Sequence, residues 1–454
     1  MAIIYNFLNN VWNDIKQENK NNFAFVFIIL LLLSLPFKLA VTNTILTFFG
    51  VIVIWNYKKL KFHLPFSLLL PILLFVLMMC SFLWTIDIQK TTKAAPKEVF
   101  LLIIPLVFSV IPRFNRNQIS KISKYYAYGF LIYALFFISR AIIRYFILKD
   151  TAVFFYHQDK NLDLGLIPKD LNAIHFSVFS ILAYVHFLAN EIKSVWQKVA
   201  MSILLFFILL LSSKNIILVA ILITLIYILY FAKSANRMRL RNLIVFTLII
   251  GIVVFFGKIK NRFEAEFQSN TNKSFSHNVI DGVPVGVHYV SIYEAWNNES
   301  FTPNDYFPGT AFRVYQARLF FEFLNDEPIF WKGFGLNASY KKLEEKGEKY
   351  NVYKGTRNEE GYQNKNFHNQ YIQNFAELGV FGLLFLLAML FLLLKKAFHN
   401  KDFIHFTFSI LMISVFLTES FLWRQRGVVF FIIFYCLFMA ENHKKEKLNN
   451  SSQV

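Results

Sequence analysis

Cysteine is almost absent from this 454-residue chain: Cys80 and Cys436 are the only two, and both fall inside apolar runs. A disulfide framework and a cysteine-based metal site are thereby excluded, and both residues are expected as small buried side chains. The ten histidines are scattered without metal-ligand spacing, and the chain has no Walker-type loop, G-x-S-x-G elbow, heptad or internal repeat. An ATP-driven pump and a zinc hydrolase therefore have no residues to stand on. The first apolar stretch follows a polar lead and lacks an A-x-A-like exit, so no cleavable signal peptide is expected. Charge is scarce as well, at 17% of residues, which argues against a soluble domain.

What is present is apolar. Hydrophobic residues make up 56% of the chain and aromatic residues 18%, with 55 Phe. A membrane-spanning helix needs about 20 mostly apolar residues, and the runs that approach this predict an all-α integral membrane protein with about twelve spans. They cover Phe23 to Leu39, Val41 to Trp55, Leu64 to Trp84, Val99 to Ile111, Tyr126 to Leu148, Leu171 to Leu188, Val199 to Leu211, Ile216 to Phe231, Leu243 to Phe256, Tyr371 to Leu394, Phe403 to Leu417 and Val428 to Met439.

The formal net charge of +19 is a matter of topology, because cytoplasmic loops of membrane proteins collect Lys and Arg. With the N-terminus inside, the predicted inner loops hold Lys58, Lys59 and Lys61; Arg113, Arg116, Lys121 and Lys124; Lys193 and Lys198; Lys233, Arg237, Arg239 and Arg241; Lys395, Lys396 and Lys401; and Lys444, Lys445 and Lys447. Both termini are thus expected on the cytoplasmic side, the charge faces an anionic leaflet, and nucleic acid is not a partner. Lys90, Lys93 and Lys97 run against this pattern. In the polar lead, Ile4, Phe7, Leu8, Val11, Trp12 and Ile15 recur at helical intervals, as in a helix lying along the membrane surface.

The predicted domains are an amphipathic segment over 1–22, spans one to nine over 23–257, a large outer loop over 258–367, spans ten to twelve over 368–440 and a tail over 441–454. A loop of over a hundred residues is too long for a plain connector. Within it Phe312, Tyr315, Leu319, Phe320 and Phe323 mark an amphipathic helix, with Arg313 near its start, ended by the Asn325 to Pro328 turn and followed by Gly333 and Gly335.

At the end of that loop stands "FHNQYIQNFAELGVFGLLFLL". His368 and Asn369 open the tenth span, and Gly379 follows eleven residues later, about 16 Å deeper on a helix. Ala376, Gly379 and Gly382 form a small-residue stripe that lets another backbone approach. A helix N-terminus attracts anions, and a histidine beside one is suited to act as a general base. The bland alternative is an interfacial histidine at a polar loop end.

His368, Asn369, nine further residues, Gly379, two more and Gly382 resemble the H-[NSQ]-x9-G-x-x-G pattern of the O-antigen ligase and polymerase superfamily, directly after the one large outer loop. "LLSSKNIILVAILITLIYIL" and "FRVYQARLFFEFLNDEPIFWKGFG" are similar to two further family segments, although Lys214 stands where Arg is usual and Ala317 where Trp is common. The resemblance implies a GT-C-like, metal-independent glycosyltransferase without cofactor in the cytoplasmic membrane, its large loop periplasmic. It implies an undecaprenyl-diphosphate-linked glycan as donor, and a lipid A core or a second lipid-linked glycan as acceptor. His368 is then the base for the acceptor hydroxyl and Asn369 its orienting partner, while Arg313 binds the diphosphate bidentately and Lys214 adds a point charge.

Other cations compete for the diphosphate. Arg318, Arg424 and Arg426 are candidates, with interfacial anchoring or loop salt bridges as the alternative. Arg140 and Arg144, inside the fifth span, must face a cavity, pair or reach the surface. His175 borders the same cleft or is structural, and Glu377 pairs with a nearby cation. A ligase, a repeat-unit polymerase and, from another class, a transporter or flippase of lipid-linked sugars all remain compatible with the sequence, although the unequal halves lack the inverted repeats common in transporters.

Overall fold

The computed structural model describes residues 2–155, 164–168, 170–190, 193–211, 213–232, 279–280, 283–284, 288–355 and 361–441. The expected ninth span, the cations at 233–241 and 444–447, and most of 258–287 lie outside them. The protein is mostly helical.

The helices run α1 Ala2–Asn21, α2 Phe25–Leu33, α3 Leu39–Trp55, α4 Phe66–Cys80, α5 Ile88–Glu98, α6 Phe100–Val110, α7 Arg116–Leu148, α8 Ala173–Ala189, α9 Val195–Leu211 and α10 Lys214–Ile226. After these come α11 Ile292–Asn297, α12 Gly309–Asp326, α13 Ile329–Lys332, α14 Ser339–Lys349, α15 Gln370–Asn400, α16 Phe403–Thr418 and α17 Gln425–Met439. Among the described residues, Phe66–Leu83, Arg116–Leu148, Lys214–Phe231 and Gln370–Asn400 are long and apolar enough to cross a membrane, and five further apolar helices are shorter.

The predicted runs each contain a helix where the chain is described, with bounds set by local chemistry. The first is cut short because Pro36 cannot donate in a helix and restricts the residue before it; Ser34 closes α2 by donating to Leu31 O at 2.7 Å and shares a 2.9 Å hydrogen bond with Thr42 of α3. The fifth is extended at its start by a capping box, in which the Asn115 side chain accepts from Gln118 N and Gln118 reaches back to Asn115 N. That polar extension also binds α1: Lys121 Nζ lies 2.6 Å from both Asp14 and Glu18, and the Tyr125 hydroxyl donates to Asp14.

α17 is apolar on every face and is wrapped by α2, α4, α5, α6, α8, α15 and α16, with Val428 through Phe438 buried. A helix apolar all round belongs at a centre. The phenylalanine content is used here: Phe430 lies 4.7 Å from Phe179 and Phe434 5.5 Å from Phe408, ring to ring. Cys436 is buried in this core as expected, but Cys80 is exposed. Apolar runs in a membrane protein have an outer face for lipid, and Cys80 ends α4 on that face, beside exposed Val76 and Leu83.

Residues 288–367 have a core of their own. Strands β1 Val279–Ile280 and β2 Val283–Pro284 pair antiparallel, while β3 His288–Tyr289 and β4 Asp305–Tyr306 pair parallel. α12 is the predicted amphipathic helix: Phe312, Tyr315, Leu319, Phe320 and Phe323 are all buried, against Phe301, Phe307, Phe334 and Phe367. On its other side Glu322 receives Arg318 at 2.9 Å, Lys346 at 2.8 Å and the Tyr350 hydroxyl at 2.8 Å. Burial pushes the Glu322 carboxyl up, but these partners outweigh it and hold its pKa below the usual range. A depressed carboxylate pKa stabilises the fold above the unfolded value of about 4.3 and that stability is lost as pH falls through the folded value. Limited proteolysis of this unit is therefore expected to accelerate as pH drops through that window, and Glu322→Gln to be cut faster at pH 7 with the pH step diminished.

Candidate active site

The turn that ends the loop is fixed residue by residue. Phe367 is fully buried beside Phe320 and donates its N–H to Gln373 Oε1 at 3.2 Å. His368 follows with φ +47°, a left-handed conformation that is uncommon outside glycine. Its N–H is held by Asn366 Oδ1 at 3.0 Å. Asn369 is the N-cap of α15, accepting from Tyr371 N and Ile372 N, so His368 stands one residue ahead of the helix. Backbone strain of this kind collects at functional sites.

From this turn the imidazole meets the carboxylate of Glu419, Nδ1 to Oε2 at 3.4 Å. Glu419 is the residue after α16 and is almost fully buried. Burial raises its pKa, yet the hydrogen bond to His368, followed by the charges of His368, His175 and Arg313, brings it below the usual carboxylate range. The neighbouring carbonyls serve the same cluster: Asn369 Nδ2 donates to Leu417 O at 3.2 Å and Arg313 Nε to Thr418 O at 2.9 Å. Arg313 also donates to Gly309 O at 2.8 Å, which sets its guanidinium across the start of α12. Asn215 bonds Ser414 O at 3.1 Å and Thr418 Oγ1 at 2.7 Å, seating the start of α10, with half-buried Lys214, on the same end of α16.

Adjacent His368 and Asn369, and Arg313 far upstream of them, thus converge on Leu417–Glu419, with Lys214 next to Asn215, which bonds the same helix end. Glu419, Asn215 and Gln373 were not singled out from the sequence. Glu419 carried a signal, since an acid at the end of an apolar helix is costly without a partner. Gln373 ties the cluster from behind, accepting from Phe367 N and, at 3.3 Å, from Ser420 Oγ.

At the glycine stripe another backbone approaches, through a break in the helix. α15 is not continuous: Gly379 has φ +68° and ψ −165°, a conformation essentially confined to glycine. The break removes helical donors from the carbonyls before it, and the loop replaces them: Phe334 N donates to Ala376 O and Gly335 N to Glu377 O, both at 2.8 Å. Non-helical backbone at membrane depth requires such substitutes. Gly333, with φ +65°, faces the Glu377 backbone. Close approach is thus made by the loop's own Gly333–Gly335 segment at a kink, not by a neighbouring helix on a straight stripe. Gly382 is buried and its carbonyl accepts from Asn374 at 3.2 Å.

The remaining cations are spread out. Arg318 belongs to the Glu322 network and also donates to Asn298 O at 2.7 Å. Arg426 donates to Asp170 O at 2.8 Å and Phe37 O at 2.9 Å. Arg144 reaches Gly165 O at 3.4 Å, and Arg140 is half-buried one turn away on α7. Arg424 is exposed beside Trp423. His175 is buried and stacked on Phe421 at 4.2 Å. Among the described residues Glu377 is paired with no cation: it accepts from Gln373 and, at 3.2 Å, from Ser339.

No curated protein matches the chain. Part of the site lies within a recognisable sequence pattern all the same: it runs from α9 through α12 and the kink of α15, taking in Lys214, Arg313, His368 and Asn369, and stops short of Leu417–Glu419. Residues 199–387 match the model of the O-antigen ligase family, to which the chain is similar over that stretch.

Proposed function

We propose that the protein is a glycosyltransferase of the cytoplasmic membrane that moves a glycan en bloc from undecaprenyl diphosphate to an acceptor hydroxyl on the periplasmic side. A lipid A core or similar glycolipid is the acceptor, both termini are cytoplasmic, and residues 258–367 form a periplasmic loop domain. The observation that carries the reading is the convergence of His368, Asn369 and Arg313 on Leu417–Glu419 in a chain of apolar helices with this family match.

In this reading His368 takes the proton of the acceptor hydroxyl. Glu419, on Nδ1, orients the ring and stabilises the imidazolium that forms, as a carboxylate does for a histidine base elsewhere. The acceptor oxygen attacks the anomeric carbon, the bond from that carbon to the diphosphate oxygen breaks, and the diphosphate leaves with the electron pair. Its charge is met by the guanidinium of Arg313 and the ammonium of Lys214.

The test is transfer in membranes supplied with an undecaprenyl-diphosphate-linked oligosaccharide, without ATP and with a chelator present. A single adduct on the acceptor supports the ligase. A ladder of repeats makes the protein a polymerase that takes a second lipid-linked glycan as acceptor, and donor that merely crosses the bilayer makes it a transporter. In the same assay Arg313→Lys is expected to lose about 10²-fold in kcat/KM, because an ammonium cannot hold two backbone carbonyls and a phosphate with one planar fork. Near wild-type transfer by that variant would sink the diphosphate assignment.

A further inference from the structure

Lys90, Lys93 and Lys97 break the charge pattern of the membrane loops, and the proposed chemistry leaves them unused. All three lie on α5, whose N-terminus is capped by Asp87. The helix is on the same side of the protein as His368: Ile86 N donates to Phe334 O at 3.0 Å and Thr91 Oγ1 to Leu336 O at 2.7 Å, which join it to the segment that docks on the α15 kink.

Two aromatic rings of that face, Tyr340 and Trp423, lie 6.1 Å apart. Lys90 Nζ is 5.2 Å from the Tyr340 ring, Lys97 Nζ is 4.6 Å from the Trp423 ring, and the Arg424 guanidinium is 5.9 Å from the Trp423 ring. Trp423 is itself anchored, with its indole N–H on Asn337 Oδ1 at 2.6 Å. The rings therefore hold Lys90, Lys97 and Arg424 in place, and Lys93 lies exposed one turn from Lys97 on α5. Among the described residues, none of Lys90, Lys93, Lys97 and Arg424 makes an ion pair. Glu98, the adjacent acid, is buried with Oε2 lacking any hydrogen-bond partner.

We infer that this face binds the phosphate-bearing saccharide headgroup of the acceptor glycolipid, an inference that rests on the transferase reading above. Lys90, Lys97 and Arg424 on the two rings, with Lys93 one turn from Lys97, outnumber the nearby carboxylates, Asp87 at the cap of α5 and the buried Glu98, and a polyanion resolves the remaining repulsion. Lysines bind phosphate as point charges and suit several phosphate oxygens at once. The Lys97 ammonium is already pressed by its surroundings: burial lowers its pKa, Glu98 offsets this in part, and Arg424 lowers it further. Leu83 is 86% and Ile88 53% exposed at the edge of the face, where the acyl part of a lipid would lie. Residues 419–424 connect the face directly to the His368 pair: Leu422 N is held by Oε1 of Gln370, the first residue of α15, at 2.7 Å. Acceptor on this face and donor diphosphate at Arg313 would then approach His368 from opposite ends of the 417–424 segment.

The experiment uses the full chain in phosphatidylcholine nanodiscs with a fluorescent lipid carrying a phosphorylated disaccharide. The expected result is binding that falls about 10-fold or more in the triple variant Lys90→Gln, Lys93→Gln, Arg424→Gln. The charge-preserving Lys90→Arg, Lys93→Arg pair binds like wild type, and the dephosphorylated lipid binds weakly to all. Unchanged binding by the triple variant overturns the assignment. So does displacement by phosphatidylglycerol as effective as that by unlabelled glycolipid, which would make the face an ordinary anchor for anionic lipid. Because binding is read without turnover, inactivity of the wild type would count against the transferase reading and leave this result standing.

Discussion

Replacing His368 by alanine is expected to lower glycan transfer by about 10²- to 10⁴-fold, the range over which a positioned acid or base contributes, while donor binding is retained. The retained binding follows from the site's construction. Arg313 is held by Thr418 and Gly309, and Lys214 sits on the α10 end seated by Asn215; none of these contacts passes through the imidazole. The α15 cap belongs to Asn369, so the helix keeps its start. Glu419→Gln is expected to cost less alone, and to add little on top of His368→Ala, since its proposed part is played through the ring; groups that act as a unit are strongly non-additive. Transfer rates of the two single variants and the double, measured with one donor preparation, check this. Additive losses would mean that Glu419 acts on substrate by itself.

The second large effect is structural. Gly379→Ala is expected to destabilise the protein by about 2–5 kcal/mol, seen as loss of folded material in detergent and as protease cutting within 329–335. A Cβ at Gly379 would stand 2.3 Å from Trp331 O, and the backbone there adopts a conformation that L side chains avoid. Relief by straightening α15 would take Ala376 O and Glu377 O away from Phe334 N and Gly335 N, undocking the loop. Gly382→Ala is the informative contrast: its Cβ would also be crowded, 2.5 Å from Leu378 Cβ and 2.7 Å from Asn374 O, but with no forbidden backbone angle, and a smaller loss is expected.

The apolar runs made the helices legible where the chain is described, because twenty residues of Leu, Ile, Val and Phe admit few other structures. The helix of the outer loop was equally plain from the spacing of Phe312, Tyr315, Leu319 and Phe323. The kink was not: a glycine pair three residues apart reads the same in a straight helix as in a broken one, and only the partner backbone at Gly333 decides. Arg313 and Arg318 share one helix and one chemistry in the sequence, yet a single nearby acid, Glu322, draws Arg318 into the loop. Glu419 escaped notice because its partner lies 51 residues away, beyond any local pattern.

The fully enclosed α17 has a consequence for biogenesis. It follows every other described helix in the chain, so during synthesis it emerges after the helices that surround it. Those helices must hold open a slot lined by Phe179, Phe408 and Tyr126 until it arrives. Residues 419–424 lead directly into α17. Insertion of α17 therefore both fills that slot and carries Glu419 to His368, so the site is unassembled until this helix is in place.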